Sequence, residues 1–152
     1  MPQTCEEQHN IAPKNSPNLK NLRGETLDLD PLATALGVRI VDSPRLHPDL
    51  NAIYLHPRRM ILIRPGLDPI TYRCALAHEL GHAFYQDEDH GNPRLEKRAD
   101  LWAARLLISP VDYMLAERLH DGHIGAIAHE LGVTPHLATT WRNHHLILKE
   151  AL

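Results

Sequence analysis

The chain has 152 residues, 43% of them hydrophobic and 23% charged, with a formal net charge of −3. That is about one domain of globular sequence, long enough to bury roughly two-thirds of its unfolded surface without disulfide staples. The charge balance excludes a protein whose whole surface grips nucleic acid, and no segment is long and apolar enough to cross a bilayer.

Residues 1–24 are rich in Asn, Pro, Gln and Lys and read as a tail or loose lead-in. The first ten residues lack the basic and apolar regions of a secretory signal. The two cysteines, Cys5 and Cys74, form no disulfide framework and read as free thiols in a reducing compartment. The cytoplasm is therefore the expected location. A short helix is expected from Leu27 to Leu36, with Asp30-Pro31 as cap and first turn and Gly37 as its stop. Val38–Val41, Asn51–Leu55 and Met60–Ile63 read as strands. The short connector His56-Pro57-Arg58-Arg59 suits an antiparallel hairpin.

Asp68 and Pro69 open a second helix, expected to run to about Tyr85. Ile70, Cys74, Ala77, Gly81 and Phe84 share one apolar face at helical spacing. After an acidic loop, a third helix spans about Arg94 to Ile108, with Leu95, Ala99, Trp102 and Leu106 as its buried stripe. Ser109-Pro110 ends it and starts a fourth, roughly Val111 to His120. The fold expected is α+β: a small, mostly antiparallel three-stranded sheet packed on the second helix, with helices dominating the rest.

The segment that carries chemistry is His78-Glu79-Leu80-Gly81-His82. On a helix, residues four apart lie on one face, so both imidazoles can reach one metal ion. Glu79 is placed to take a proton from an attacking water and pass it to a leaving amine. Zinc suits this donor set, lowering the pKa of a coordinated water to about 7 and polarising a carbonyl. In a chain with twelve histidines the pattern is only moderately selective, but it falls inside a helical segment, and small Gly81 lets a neighbour approach. The bland alternative is that His78 and His82 simply bond to core carbonyls.

A catalytic zinc needs a third protein ligand and an open fourth position. Six residues past His82 stands Glu88, and the intervening glycine of a metzincin is replaced by Tyr85, so that arrangement fails. His90 is an irregular loop candidate. Glu96, fourteen residues past His82 near the start of the third helix, is the better one. Asp100 follows one turn later, placed to accept the free ring N–H of a ligand histidine. Alternatively, both acids are surface charges pairing with Lys97 or Arg98. For the group that stabilises an oxyanion, Tyr72, Tyr85 and His90 are the candidates near the motif, with nothing to choose among them.

His78-Glu79-x-x-His82 followed by Glu96-x-x-x-Asp100 resembles the gluzincin pattern. More closely, ALAHELGHAF followed by EKRADLWAARLLIS resembles the ImmA/IrrE family of metallopeptidases, with Ala99-Asp100, Trp102-Ala103, Leu106-Leu107 and Pro110 in the expected order. Asp100 stands where that family commonly has Asn. The resemblance covers roughly residues 30–115. It implies a single zinc held by His78, His82 and Glu96, Glu79 as base and Asp100 as partner of a ligand. It also implies a protein substrate, a DNA-binding transcriptional repressor of a phage or mobile element.

From His123 onward, a short helix ending at Gly132 and another from Pro135 to Trp141 resemble a helix-turn-helix. His136, Thr139, Thr140, Arg142 and Asn143 are the residues that would face DNA. Arg142 and Lys149 are the only permanent cations after Arg118, too few for strong phosphate contact. Docking on the enzyme core or a protein substrate is the better reading, and direct DNA binding is not expected. The chain thus divides into a tail (1–24), a zinc peptidase core (25–120) and a C-terminal helical segment (121–152). The expected function is a zinc endopeptidase acting on a regulatory protein. Its competitor is a non-catalytic binding module that uses the C-terminal helices around a structural or vestigial zinc. A metal-dependent hydrolase acting on something other than a peptide is a third.

Overall fold

A computed structural model describes residues 27–151; the expected tail and Cys5 lie outside the described residues. The elements in order are α1 (Asp30–Ala35), β1 (Arg39–Asp42), β2 (Ala52–Leu55), a 3-10 turn (His56–Arg58), β3 (Met60–Ile63), α2 (Pro69–Tyr85), α3 (Pro93–Leu107), α4 (Pro110–Leu119), α5 (Ile124–Leu131) and α6 (Pro135–Glu150). The fold is α+β.

The sheet is mixed, in the order β1-β3-β2. The hairpin is antiparallel, pairing Tyr54 with Ile61, but β1 runs parallel to β3, pairing Ile40 with Ile61. The expected mostly antiparallel sheet is corrected in that one pairing. The cause lies in β3, whose four residues Met60-Ile61-Leu62-Ile63 are all apolar and so occupy the centre. β1 ends in Asp42 and is mostly exposed, as an edge strand can be. Ala52, Tyr54, Ile61 and Ile63 point to one side and are buried against α2.

α2 begins as its sequence demands: the Asp68 carboxylate accepts from Thr71 N–H at 3.0 Å, with Pro69 in the first turn. At α1 the cap is one step earlier than expected. Leu29 occupies the cap position, and Asp28 rather than Asp30 supplies the carboxylate, accepting from Asp30 N–H at 3.0 Å.

α2 is sandwiched between the sheet and α3. Its buried residues therefore wrap round the helix: Arg73, Cys74, Leu76, Ala77, Glu79, Leu80, Gly81, His82 and Ala83. The expected single apolar face is too narrow a description, and Phe84 leaves it altogether, being half exposed against Trp102. A Cβ on Gly81 would stand 3.2 Å from the Ala99 Cα and carbonyl oxygen. The two helices therefore cross at nearly backbone contact. That closeness explains why α3 buries Ala99, Ala103, Ala104 and Leu107, while the larger Leu95, Trp102 and Leu106 sit at its margins.

α5 ends at Gly132 in the left-handed conformation (φ 63°), and α6 starts at Thr134, whose hydroxyl accepts from Leu137 N–H. α6 is longer than expected, running on to Glu150. It packs on α3, so the helix-turn-helix-like pair is docked against the helices of the core. Buried residues from the sheet to Trp141 form one continuous cluster.

Candidate active site

α2 and α3 each contribute one side of a polar cluster between them. His78 and His82 project from the same face of α2, one turn apart, with their Nε2 atoms 3.1 Å apart. From the first turn of α3, Glu96 places Oε2 3.1 Å from His78 Nε2 and Oε1 3.5 Å from His82 Nε2. One ligand atom from each of the three residues lies within 4.8 Å of the other two.

The outer ring nitrogens are both engaged by carboxylates. His78 Nδ1 lies 2.8 Å from Asp100 Oδ1, and His82 Nδ1 lies 2.9 Å from Asp87 Oδ2. A carboxylate only accepts, so each neutral ring carries its proton on Nδ1 and leaves Nε2 as a lone pair. Two imidazole lone pairs and both Glu96 oxygens then converge on one point with no donor among them. A cation resolves that arrangement. Donors about 2.0–2.1 Å from a tetrahedral zinc sit about 3.3 Å from one another, and the contacts here are 3.1, 3.1 and 3.5 Å. The residues present fit a three-ligand zinc site. In its absence a proton fills the same role. Burial pulls His78 down most strongly, but the Asp100 hydrogen bond and the charges of Glu79, Asp100 and Glu96 outweigh it and raise its pKa to about 8.

Glu79 lies beside this cluster, buried against β2. Its Oε2 accepts the backbone N–H of Tyr54 at 2.8 Å. β2 is an edge strand, so that amide has no β-partner on its outer side. Burial pushes the Glu79 carboxyl up; the charges of His78 and His82 and the Tyr54 amide pull the other way without cancelling it.

Of the residues considered for the oxyanion, Tyr72 lies six positions before His78, about 9 Å along the helix axis. Burial raises its pKa first, and then the charges of Asp30 and Asp42, which place it toward α1 and β1 rather than the cluster. Tyr85 gives its ring face to the Arg98 guanidinium at 3.9 Å. His90 remains close, its ring centre 6.4 Å from that of His82.

Three participants have no signature at helical spacing. Asp87 follows Gln86, a non-glycine residue at φ 60°, and that left-handed step turns the chain back so that Asp87 meets His82. Arg98 donates to Asp87 in turn. His136, in the first turn of α6, lies 2.7 Å through Nε2 from Asp100 Oδ2, so the carboxylate bridges two imidazoles from distant parts of the chain. The bonds from His78 and His136 hold Asp100 below the usual carboxylate range against the opposing effect of burial. Only the acidic character of 86–93 and the abundance of histidine hinted at these contacts.

No described helix is long and apolar enough to cross a membrane. No curated protein and no solved structure matches the chain significantly. Residues 33–139, more than half of the chain and all but the end of the helical region just described, match the profile of peptidase family M78, the IrrE N-terminal-like domain. The chain belongs to that family of metallopeptidases.

Proposed function

We propose that the protein is a zinc-dependent endopeptidase. The observation that carries this reading is the convergence of His78, His82 and Glu96 on one point with the Glu79 carboxylate buried beside it. His78, His82 and Glu96 hold the ion, one per chain. Zinc bound there supplies Lewis acidity toward a peptide carbonyl and toward water. Glu79 acts as the base: it takes a proton from the water that attacks the carbonyl carbon, and delivers it to the amide nitrogen as the C–N bond breaks. Its elevated pKa suits a group that must hold that proton briefly. The Tyr54 amide fixes the orientation of Glu79 through Oε2, and Oε1 takes no hydrogen bond from the described residues. Asp100 and Asp87 fix the ring orientations of the two histidines. Of the groups considered for the oxyanion, His90 is the one whose position favours that role.

The substrate we propose is a regulatory protein, a DNA-binding repressor of a phage or mobile element, met in the cytoplasm. The support is the resemblance in motif order to ImmA/IrrE peptidases. A non-catalytic module reading DNA through α6 is disfavoured by what α6 does with its side chains. Arg142 donates to Tyr113 Oη at 2.6 Å and to the Gly122 carbonyl at 2.7 Å, Trp141 is buried and stacked on Tyr113, and His136 is bound to Asp100.

The test is N-terminal labelling of a lysate of the source cells incubated with wild-type protein or with Glu79→Gln. The expected result is new termini in a regulatory protein with wild type alone. Identical termini with both proteins, or none with either, would remove the peptidase reading.

A further inference from the structure

α3 segregates its charge. Both of its acids, Glu96 and Asp100, turn inward to the two histidines of α2. Arg94, Arg98, Leu101 and Arg105, at spacings of four, three and four, share the opposite, outward face, with Lys97 beside them. Of these four cations only Arg98 has a carboxylate partner among the described residues, Asp87. Arg105 instead lies 3.0 Å from His144 Nε2 and pairs with no carboxylate among the described residues.

The same face holds a groove of about 270 Å³ lined by Tyr85, Arg98, Leu101, Trp102, Arg105 and Leu106. Phe84, the only phenylalanine of the chain, stands at its edge, 52% exposed and 5.7 Å from Trp102 between ring centres. An exposed aromatic beside half-buried apolar rings is what a single inserted side chain would cover. The groove is also joined to the metal-site residues, because Arg98 lies over Tyr85 and pairs with Asp87, which holds His82.

We propose that this groove docks an acidic peptide segment carrying one aromatic or aliphatic anchor. The anchor would lie against Phe84, Trp102, Leu101 and Leu106, and the carboxylates would meet Arg94, Lys97 and Arg105. Charge complementarity carries the choice of occupant: the chain as a whole is net negative, yet this face presents cations with no acid from its own helix. A single-stranded nucleic acid fits less well. It needs free aromatic faces along a track, whereas the Tyr85 face is taken by Arg98 and Trp102 is tilted against Phe84. The surface rests on the peptidase reading only for its biological use, not for its binding chemistry.

The test is fluorescence anisotropy with full-length Glu79→Gln protein, in which the probe survives, so binding is read independently of cleavage. The probe is a short fluorescein-labelled peptide of glutamates around one phenylalanine, compared with the same peptide carrying lysines and with an oligothymidine. Binding of the acidic peptide alone is expected. Arg94→Glu and Arg105→Glu should each weaken it by about fivefold, and Phe84→Ser by about tenfold. All three positions are on the surface, and unchanged circular dichroism and metal content would show that fold and metal site are intact. The proposal is overturned if the acidic peptide fails to bind, if the substitutions leave its affinity unchanged, if oligothymidine binds more tightly, or if light scattering shows a dimer that Phe84→Ser dissolves.

Discussion

Burial acts on His78 and Glu79 in opposite senses, and the partners of each decide the outcome. Burial alone would strip the proton from His78, yet three carboxylates around it keep the imidazolium to about pH 8 in the metal-free protein. Its folded-state value thus lies above the ordinary 6.5. The stability this group lends the metal-free fold is complete below 6.5 and is lost as pH rises through about 8. A metal needs the neutral ring, so uptake below that point must expel the proton. Zinc affinity is expected to fall about tenfold for each pH unit below about 8. Calorimetric titration in buffers of different ionisation enthalpy would show the released proton; an affinity flat between pH 6.5 and 8 would contradict the assignment of His78 as a ligand.

At the scale of the element, the α2–α3 crossing sets the distance between the histidines and Glu96. Gly81→Ala would gain up to ~1 kcal/mol of helix propensity, but the new methyl meets Ala99 backbone at 3.2 Å, which cannot rotate away. The expected net result is a loss of about 1 kcal/mol in denaturant unfolding together with weaker zinc binding, because Glu96 moves with α3. Unchanged affinity would show that the crossing has slack. At the C-terminal cap of α2, Gln86 holds φ 60° without being glycine. Gln86→Gly should therefore raise stability by up to ~1 kcal/mol, and a lower melting temperature would contradict the cap geometry. Much of this was legible in the sequence. Asp68-Pro69 marked the start of α2, Met60–Ile63 marked β3 to the residue, and the histidine spacing marked the metal-facing side. What was not legible depends on contacts between distant segments: the parallel pairing of β1, the sandwiching of α2 that buries His82, and the Asp87 partner delivered by one left-handed residue.

Across the whole molecule, Asp100 joins the metal-site residues to the C-terminal helices. His136 approaches it from α6 while His78 approaches from α2, and α6 also covers α3. The α5–α6 pair, which resembles a helix-turn-helix in sequence, is therefore part of what orients His78. His136→Ala is expected to lower zinc affinity about tenfold while leaving the circular dichroism spectrum unchanged, since His136 is a largely exposed side chain. Retention of full affinity would make the contact incidental.

In the proposed site a zinc is held by two residues of α2 and one of α3, with Glu79 beside it as base and not as ligand. The direct measurement is the metal content of purified wild-type protein, Glu96→Ala and Glu79→Gln. One zinc per chain is expected in wild type and in Glu79→Gln, with most of it lost from Glu96→Ala. A wild-type protein without zinc, or a Glu96→Ala protein that keeps it fully, would contradict the ligand set.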